Sequence, residues 1–309
     1  MIDTITGLHH VTALSQSPNA TNDFLLNTLG LRRIKKTVNA DAPANYQLYY
    51  GDGAGTPGSV FAVSTFENLA RGRVGTGEVG TIVFSVSPGA LSRWRDHLTT
   101  AGVPLLGKIE LFGTNRLLFE GPEGETFAVQ VTHDARVPHA WSAMDAEYAI
   151  RGLHSVSIRI ADAGPLDELV QFLGYERAEQ HGNVTRFVLP QNRRNGAHVL
   201  DVESVPDGTK AKLGSGSIHR MAFAVPDMYA LANARGQLAE AGYEPTPVID
   251  RTYFHSIFAR GPEGLLLEIA TEGPGFMADG DHSLGDALVL PSNHEERRAE
   301  IERLLPALD

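Results

Sequence analysis

An internal repeat constrains the fold of this chain more than any other feature. The segment GPEGETFAVQV, which starts at Gly121, matches GPEGLLLEIAT at Gly261, an offset of 140 residues. The segment GLHHVTAL at Gly7 recurs as GLHSVSIR at Gly152, an offset of 145 residues. Similarity at a regular spacing indicates one supersecondary unit that is built several times. The chain therefore contains four similar modules, at about 6–66, 78–133, 151–204 and 216–272.

Each module carries the same order of predicted elements. An alternating stretch comes first, as in the third module, where Val156 and Ile158 alternate with polar residues and indicate a strand. A helix follows, as in ALSRWRDHLTTAG, where Trp94 and Leu98 share one face and Gly102 suits the C-terminal cap. Short strands separated by turns such as GPEG complete the module. The predicted order is βαβββ.

Two modules of this kind can enclose a cup of curved sheet, so we predict an α+β fold with two cups. The chain divides into 1–145, with modules one and two, and 146–309, with modules three and four and a C-terminal helix. Residues 134–150 form the predicted connection. The tail is amphipathic from about Glu295, and we expect it to pack against the protein or to form a dimer contact.

Composition excludes several classes of function. A net charge of −11 and a pI near 5.5 argue against a nucleic-acid or anionic-membrane surface. The absence of cysteine excludes disulfides, thiolate nucleophiles and cysteine-based metal sites. No apolar run approaches the roughly 20 residues of a membrane span, and the N-terminus lacks a signal-peptide pattern. We expect a soluble cytoplasmic protein that binds a small molecule.

Several segments carry a resemblance to a known family. These are KKTVNADAPANYQLYYGDGAGTPGS, RGRVGTGEVG, VIDRTYFHSIFARGPEGLLLEIAT and the tail segment LGDALVLP. The four βαβββ modules resemble the vicinal oxygen chelate superfamily, which includes glyoxalase I and the extradiol dioxygenases. The quoted segments resemble its branch of hydroquinone-type ring-cleaving dioxygenases, and the similarity runs from Leu8 to Leu308.

The resemblance implies Fe(II) or Mn(II) held by two histidines and one glutamate. Carried over residue by residue, the first histidine is His10 and the glutamate is Glu268. The second ligand of the family is the latter histidine of a pair, and here that pair reads His219-Arg220. A guanidinium has no lone pair to offer a cation. The substitution puts the metal itself in question, so the cofactor is Fe(II), Mn(II) or none.

Strand alternation predicts where these side chains point. It places His10 and Thr12 on one face of the first strand and His9 on the other, and the repeat places Arg220 inward with His10. Two unit charges about 4 Å apart interact by roughly 4 kcal/mol at an effective dielectric constant near 20. This interaction repels a metal ion from Arg220 and attracts Glu268. We therefore predict that Arg220 pairs with Glu268 and occupies the cation site.

The resemblance also assigns roles around this pair. It implies catalytic roles for His9, His219 and Arg251, a substrate contact for Thr12, and His10 and Glu268 as the metal ligands. At the two altered positions, we expect Arg220 and Phe258 to contact the substrate. Phe258 stands where the family has a tyrosine, and Gln47 where it has a histidine. His255 could substitute as a ligand, but alternation sends it to the opposite face. A shared site requires module one to pair with four, leaving module two with three.

The second cup offers no ligand set, because its equivalent positions read Thr81 or Ile82, Ala128 and Ser155. We expect it to be a structural partner or at most an apolar pocket. Three functions remain open. The chain is a dioxygenase-like protein that binds a small aromatic or carbonyl ligand at an altered metal site, an active Fe(II)-dependent extradiol dioxygenase, or a non-catalytic protein that sequesters an aromatic compound. A purely structural Arg220–Glu268 pair and a homodimer are also open.

Overall fold

The computed structural model describes residues 1–40, 42–138, 144–190, 196–280 and 284–308. Module one contains β1 (Gly7–Ser15), α1 (Pro18–Asp23), a π-helical turn (Phe24–Thr28), β2 (Arg32–Val38), β3 (Tyr46–Gly51) and β4 (Val60–Thr65). Module two contains β5 (Glu78–Val86), α2 (Ala90–Thr100), β6 (Leu105–Leu111), β7 (Thr114–Glu120) and β8 (Thr126–Val131).

Modules three and four repeat this order. Module three contains β9 (Gly152–Ile160), α3 (Ala163–Phe172), β10 (Glu176–His181), β11 (Val184–Val188) and β12 (Val199–Ser204). Module four contains β13 (Ile218–Val225), α4 (Met228–Glu240), β14 (Ile249–Asp250), β15 (Phe254–Arg260) and β16 (Leu266–Pro274). Short 3₁₀ turns lie at Pro262–Gly264, Phe276–Asp279 and Ser292–Arg297, and α5 (Arg298–Leu304) ends the chain. The predicted α+β fold of βαβββ modules is confirmed.

Strand pairing decides which modules share a cup. Strand β1 pairs antiparallel with β13, and β5 pairs antiparallel with β9. Module one therefore adjoins module four, and module two adjoins module three. The two halves meet in one sheet through the pairing of Ile218 with Val79. The division into 1–145 and 146–309 stays a prediction. Each cup contains one module from residues 1–145 and one module from residues 146–309.

The repeated GPEG segment has a structural role that explains its recurrence. Glu123 Oε1 accepts hydrogen bonds from the backbone N–H of Ser17 at 2.7 Å and of Gln16 at 3.0 Å, beside the start of α1. Its counterpart Glu263 accepts from the N–H of Ala161 and Asp162, beside the start of α3. A carboxylate at this position satisfies amides that have no partner within the helix. The glutamate of each GPEG turn thus links its own module to the start of a helix in another module.

The helices bury the faces that the sequence pattern indicates. Trp94 and Leu98 of α2 are buried, and Gly102 follows with a positive φ of 71°, as a helix-ending glycine does. The indole N–H of Trp94 donates to the carbonyl of Tyr148 at 2.9 Å, which ties the connecting segment to α2. Residues 139–143 of that segment lie outside the described residues. Among the described helices, none is long and apolar enough to cross a membrane.

The C-terminal tail packs against module one. Ile301 of α5 is buried in a small cluster with Val38 of β2 and Leu290. The backbone N–H of Val289 donates to the carbonyl of Lys36 at 2.9 Å, so the segment before α5 covers the outer edge of β2. The predicted amphipathic helix therefore buries its apolar face within the chain. Its predicted alternative, a dimer contact, stays a prediction.

Candidate functional site

Three neighbouring strands bring the key side chains to one face of the first cup. In the register of β1, β13 and β16, His10 lies beside Ala222, and Ala222 lies beside Glu268. Thr12 lies beside Arg220, two residues along the same strands. Because residues two apart on a strand share a face, His10, Arg220 and Glu268 point into the same cup.

Arg220 and Glu268 form an ion pair at the centre of this cup. Arg220 Nε donates to Glu268 Oε2 at 2.8 Å. His10 Nε2 lies 3.4 Å from the same carboxylate oxygen. The side chain of Glu268 is 1% exposed and that of Arg220 is 13% exposed. The guanidinium therefore lies where it neutralises an otherwise buried carboxylate.

The charge state of Glu268 follows from two opposing effects. Burial raises the pKa of a carboxyl group, but the positive charge of Arg220 and the contact with His10 hold the pKa of Glu268 well below its ordinary value. Glu268 is therefore ionised at neutral pH. The pair consists of two full charges in a nearly water-free setting, where their attraction is stronger than at a surface.

His9 lies on the same side as His10, so the prediction of opposite faces was wrong. Leu8 and His10 pair with the consecutive residues Phe223 and Ala222, which makes His9 the extra residue of a β-bulge. The bulge brings His9 Nδ1 to 2.9 Å from His10 Nδ1. Burial and the neighbouring His10 lower the pKa of His9 to about 3. His9 is therefore neutral.

Both rings pack against Phe254 of β15. The ring centroid of Phe254 lies 5.0 Å from that of His9 and 5.4 Å from that of His10. One ring nitrogen of the histidine pair must donate to the other, which fixes their tautomers relative to each other. The two imidazoles thus form a rigid wall beside the ion pair.

Arg251 and His219 lie on the open side of the cup. The Cζ atoms of Arg220 and Arg251 lie 5.6 Å and 5.3 Å from the centroid of the Phe258 ring, so the ring contacts both cations. His219 Nδ1 lies 3.3 Å from Arg220 Nη1. Burial and the adjacent Arg220 lower the pKa of His219 to about 4. His219 is therefore a neutral group beside the guanidinium of Arg220.

A cavity of about 590 Å³ opens onto this side of the ion pair. Its wall includes the predicted residues His219, Arg220, Arg251 and Phe258. Its wall also includes Gln47, which stands where the family has a histidine, and residues that the sequence did not indicate, namely Tyr49, Tyr253, Phe254 and the tail segment 289–293. Alternation along NYQLYY could have found Gln47 and Tyr49, which share a face.

The predicted substrate contact at Thr12 receives no support from this geometry, and neither does the alternative ligand His255. Thr12 is fully buried, its hydroxyl has no hydrogen-bond partner in the described structure, and it does not line the cavity. His255 lies 4.0 Å from Asp250 and is not part of the cluster around Glu268. Thr12 reaches the site only through its neighbour Arg220, and its role as a substrate contact stays a prediction.

The residues present do not complete a three-ligand metal site. His10 Nε2 and Glu268 Oε1 are buried without hydrogen-bond partners, and both are atoms that could bind a cation. The third position is Arg220, which has no lone pair and already donates to Glu268. Within the described ranges, no group of three or more histidine, aspartate or glutamate side chains is arranged to hold a metal ion. The donor set does not fit the metal that the family resemblance implies.

The second cup contains buried charged residues, so it is not an apolar pocket, and its role as a structural partner stays a prediction. Asp201 accepts hydrogen bonds from Arg116 Nη2 at 2.6 Å and from Arg186 Nε at 2.8 Å, and all three residues are buried. Burial and Arg116 lower the pKa of the neighbouring His154 to about 3. These charged residues come from β7, β11 and β12, whereas the positions equivalent to the ligands of the first cup lie on β5, β8 and β9. The second cup is filled by an ion network.

The comparisons with known proteins agree on one family, although no family model matches the chain. MhqE of Bacillus subtilis, named as a ring-cleaving dioxygenase, is 34% identical over 307 residues, with 98% of this chain and 99% of the relative covered. MhqO of the same organism is 32% identical over 305 residues, covering 97% and 96%. The chlorohydroquinone/hydroquinone 1,2-dioxygenase of Sphingobium indicum is 32% identical over 276 residues, covering 85% and 84%.

Solved structures give the same result. The crystal structure of a Bacillus subtilis protein named as a dioxygenase superposes with a TM-score of 0.94 at 30% identity, with 99% of this chain and 98% of that chain covered. Glyoxalase I from Zea mays superposes with a TM-score of 0.66 at 13% identity, covering 91% and 97%, which shows the shared fold. The chain belongs to the family of ring-cleaving dioxygenases built on the vicinal oxygen chelate fold.

Proposed function

We propose that this protein binds a small aromatic ligand of the hydroquinone or catechol type in the cavity of the first cup, with Arg220 in place of a metal ion. The observation that carries the proposal is the Arg220–Glu268 ion pair, whose Nε–Oε2 distance is 2.8 Å. It puts a fixed cation against the one carboxylate that the family resemblance assigns to metal binding. The names of the relatives support an aromatic ligand.

The cavity suits a single ring that carries oxygen. A volume of about 590 Å³ lies within the usual range of small-molecule sites. Tyr49, Phe254 and Phe258 supply aromatic wall, against which a ring packs. Arg220 and Arg251 face the same space and offer hydrogen bonds to a phenolate oxygen. Two guanidiniums near one ring favour the ionised form of the hydroxyl.

The residues of the chain can bind and orient such a ligand in its anionic form. A guanidinium has several N–H donors and no acceptor lone pair, so Arg220 acts as a fixed donor and not as a proton acceptor. Neutral His219, whose Nδ1 faces the Arg220 guanidinium, can donate a hydrogen bond from Nε2 to the ligand while the arginines stabilise the oxygen anion. None of these side chains supplies a redox centre. The site as built therefore supports binding of a phenolate.

Metal analysis combined with Arg220→His tests the proposal. After anaerobic, iron-supplemented purification, the wild-type protein should hold far less than one iron per chain, and Arg220→His should raise the iron content toward one. Arg251→His is the matched control, because it introduces the same residue into the same cavity away from Glu268, and it should leave the iron content unchanged. If Arg220→His binds no more iron than the wild type, Arg220 does not stand in place of a metal ion.

One observation favours an active Fe(II)-dependent extradiol dioxygenase as a second candidate. His10 Nε2 and Glu268 Oε1 are buried atoms without hydrogen-bond partners, as metal-binding atoms are without their ion. Oxygen uptake with hydroquinone distinguishes the candidates. Stoichiometric iron with oxygen uptake in the wild type would establish the second candidate and refute the first. A rise in melting temperature with hydroquinone, without oxygen uptake, supports binding alone.

A further inference from the structure

Strand β6 leaves an apolar edge of the second cup uncovered. Within the described sheet it pairs with β7 alone, and its residues 105–110 are exposed on both faces. Leu105, Leu106 and Ile109 are 37%, 50% and 43% exposed. An unpaired edge strand presents free N–H and C=O groups and is a template for another strand.

The other outer strands are protected. The edge of β2 is covered by the tail, where Leu288 bridges to Lys36. Strand β14 has two residues, and β10 has the polar sequence ERAEQH. Short, covered or polar edges are the usual means of preventing strand addition. Of these outer strands, β6 combines length, exposure and apolar side chains, and its bulge between Leu105 and Gly107 lies at the end away from the hairpin turn, which leaves the segment 108–111 regular.

The turn that follows β6 shows which backbone groups point outward. Phe112 and Gly113 have positive φ values of 52° and 67° and form a two-residue hairpin turn, closed by the pair Leu111 and Thr114. The closing residues exchange hydrogen bonds with each other, and the direction alternates along an antiparallel strand. The backbone N–H and C=O of Ile109 therefore also point toward β7, whereas those of Lys108 and Glu110 point away from β7.

We infer that β6 is a homodimer interface, in which it pairs antiparallel with β6 of a second copy about a twofold axis at Ile109. In this register Lys108 of each copy faces Glu110 of the other, and both residues have outward backbone groups. Moving the register by two residues in either direction sets Lys108 against Lys108 or Glu110 against Glu110, which is unfavourable. Charge complementarity therefore selects a second copy of this chain and one register.

A single cysteine tests the register, because the chain has no cysteine of its own. At the twofold axis the two Ile109 residues form a non-hydrogen-bonded pair with Cα atoms about 4.5 Å apart, within disulfide range. Ile109→Cys should therefore form a covalent dimer under mild oxidation. Leu106→Cys is the matched control, because its two copies lie roughly 20 Å apart in this register and should stay unlinked. Equal crosslinking of both variants, or of neither, would overturn the register.

Sedimentation with charge variants tests the pairing itself. The wild type should sediment as a dimer of the 33.3 kDa chain at micromolar concentration. Lys108→Glu and Glu110→Lys should each raise the dimer dissociation constant by at least about tenfold, since two symmetric pairs become repulsive. The double variant should restore dimerisation, and Glu176→Lys on the exposed β10 should change nothing. A wild-type monomer, or a dimer that neither single variant weakens, would refute the inference.

Discussion

Replacing Arg220 by methionine should destabilise the fold, because it leaves Glu268 buried without its cation. The Glu268 side chain is 1% exposed, and its ionised form relies on the guanidinium 2.8 Å away. Removing one partner of a buried ion pair typically costs about 3–5 kcal/mol. The exposure of Arg220 to the cavity, at 13%, places the expected loss near the lower end, at about 3 kcal/mol.

A double-mutant cycle separates this charge effect from a loss of packing. Glu268→Leu alone leaves Arg220 unpaired, but this cation can turn toward the water of the cavity, so the expected cost is smaller. The variant with both changes has no buried charge, and apolar replacements of ion pairs are often nearly neutral. We therefore expect a coupling free energy of at least about 2 kcal/mol between the two positions.

Urea unfolding at pH 7, with and without a metal chelator, supplies the measurement. Arg251→Met is the matched control, because it removes a guanidinium from the other side of the Phe258 ring without a contact to Glu268, and it should cost less than about 1 kcal/mol. If the single changes at Arg220 and Glu268 simply add in the double variant, the two side chains do not stabilise each other and the reasoning fails.

Two further predictions concern other buried carboxyl groups. Burial raises the pKa of Glu125 to about 7, so from the ordinary carboxyl range up to about pH 7 the folded protein holds a proton that the unfolded chain has released. Stability therefore falls as the pH rises through this window. Glu125→Gln should raise the free energy of unfolding at pH 8 by about 1–2 kcal/mol more than at pH 5, measured by urea unfolding. Asp201→Asn should lower the free energy of unfolding by about 3–5 kcal/mol, because it leaves the buried Arg116 and Arg186 without a carboxylate. Calorimetric titration with hydroquinone should show unchanged binding in the first cup.

The repeat made the fold predictable, since a matched pattern of strand, helix and turns indicates one unit whatever its details. It also placed His10, Arg220 and Glu268 on one face, because alternation is a local property of a strand. The position of His9 could not be derived in this way. The extra residue between Leu8 and His10 is absorbed by a bulge, and the need for that bulge arises from the pairing with β13.

Non-local packing also explains what else the sequence did not show. The tail segment 289–293 lines the cavity because it lies against β2, a strand about 250 residues earlier in the chain. The ion network of the second cup joins Arg116 to Asp201 across modules two and three. Neither contact has a sequence spacing that could reveal it, because both depend on how whole modules meet.

The identity of the residue at position 220 follows from the charge of Glu268. In a cup where a metal ion neutralises this glutamate, loss of the second histidine ligand weakens binding of the ion. Without the ion the carboxylate is a buried charge with no partner, which is unfavourable. Alanine or leucine at position 220 would remove the ligand and leave that buried charge. Arginine removes the ligand and supplies the missing positive charge, at 2.8 Å from the carboxylate. The second cup has a similar arrangement, in which Arg116 and Arg186 neutralise Asp201. In both cups an arginine thus neutralises a buried carboxylate, and under the proposed function Arg220 also offers a donor to an anionic ring oxygen in the first cup.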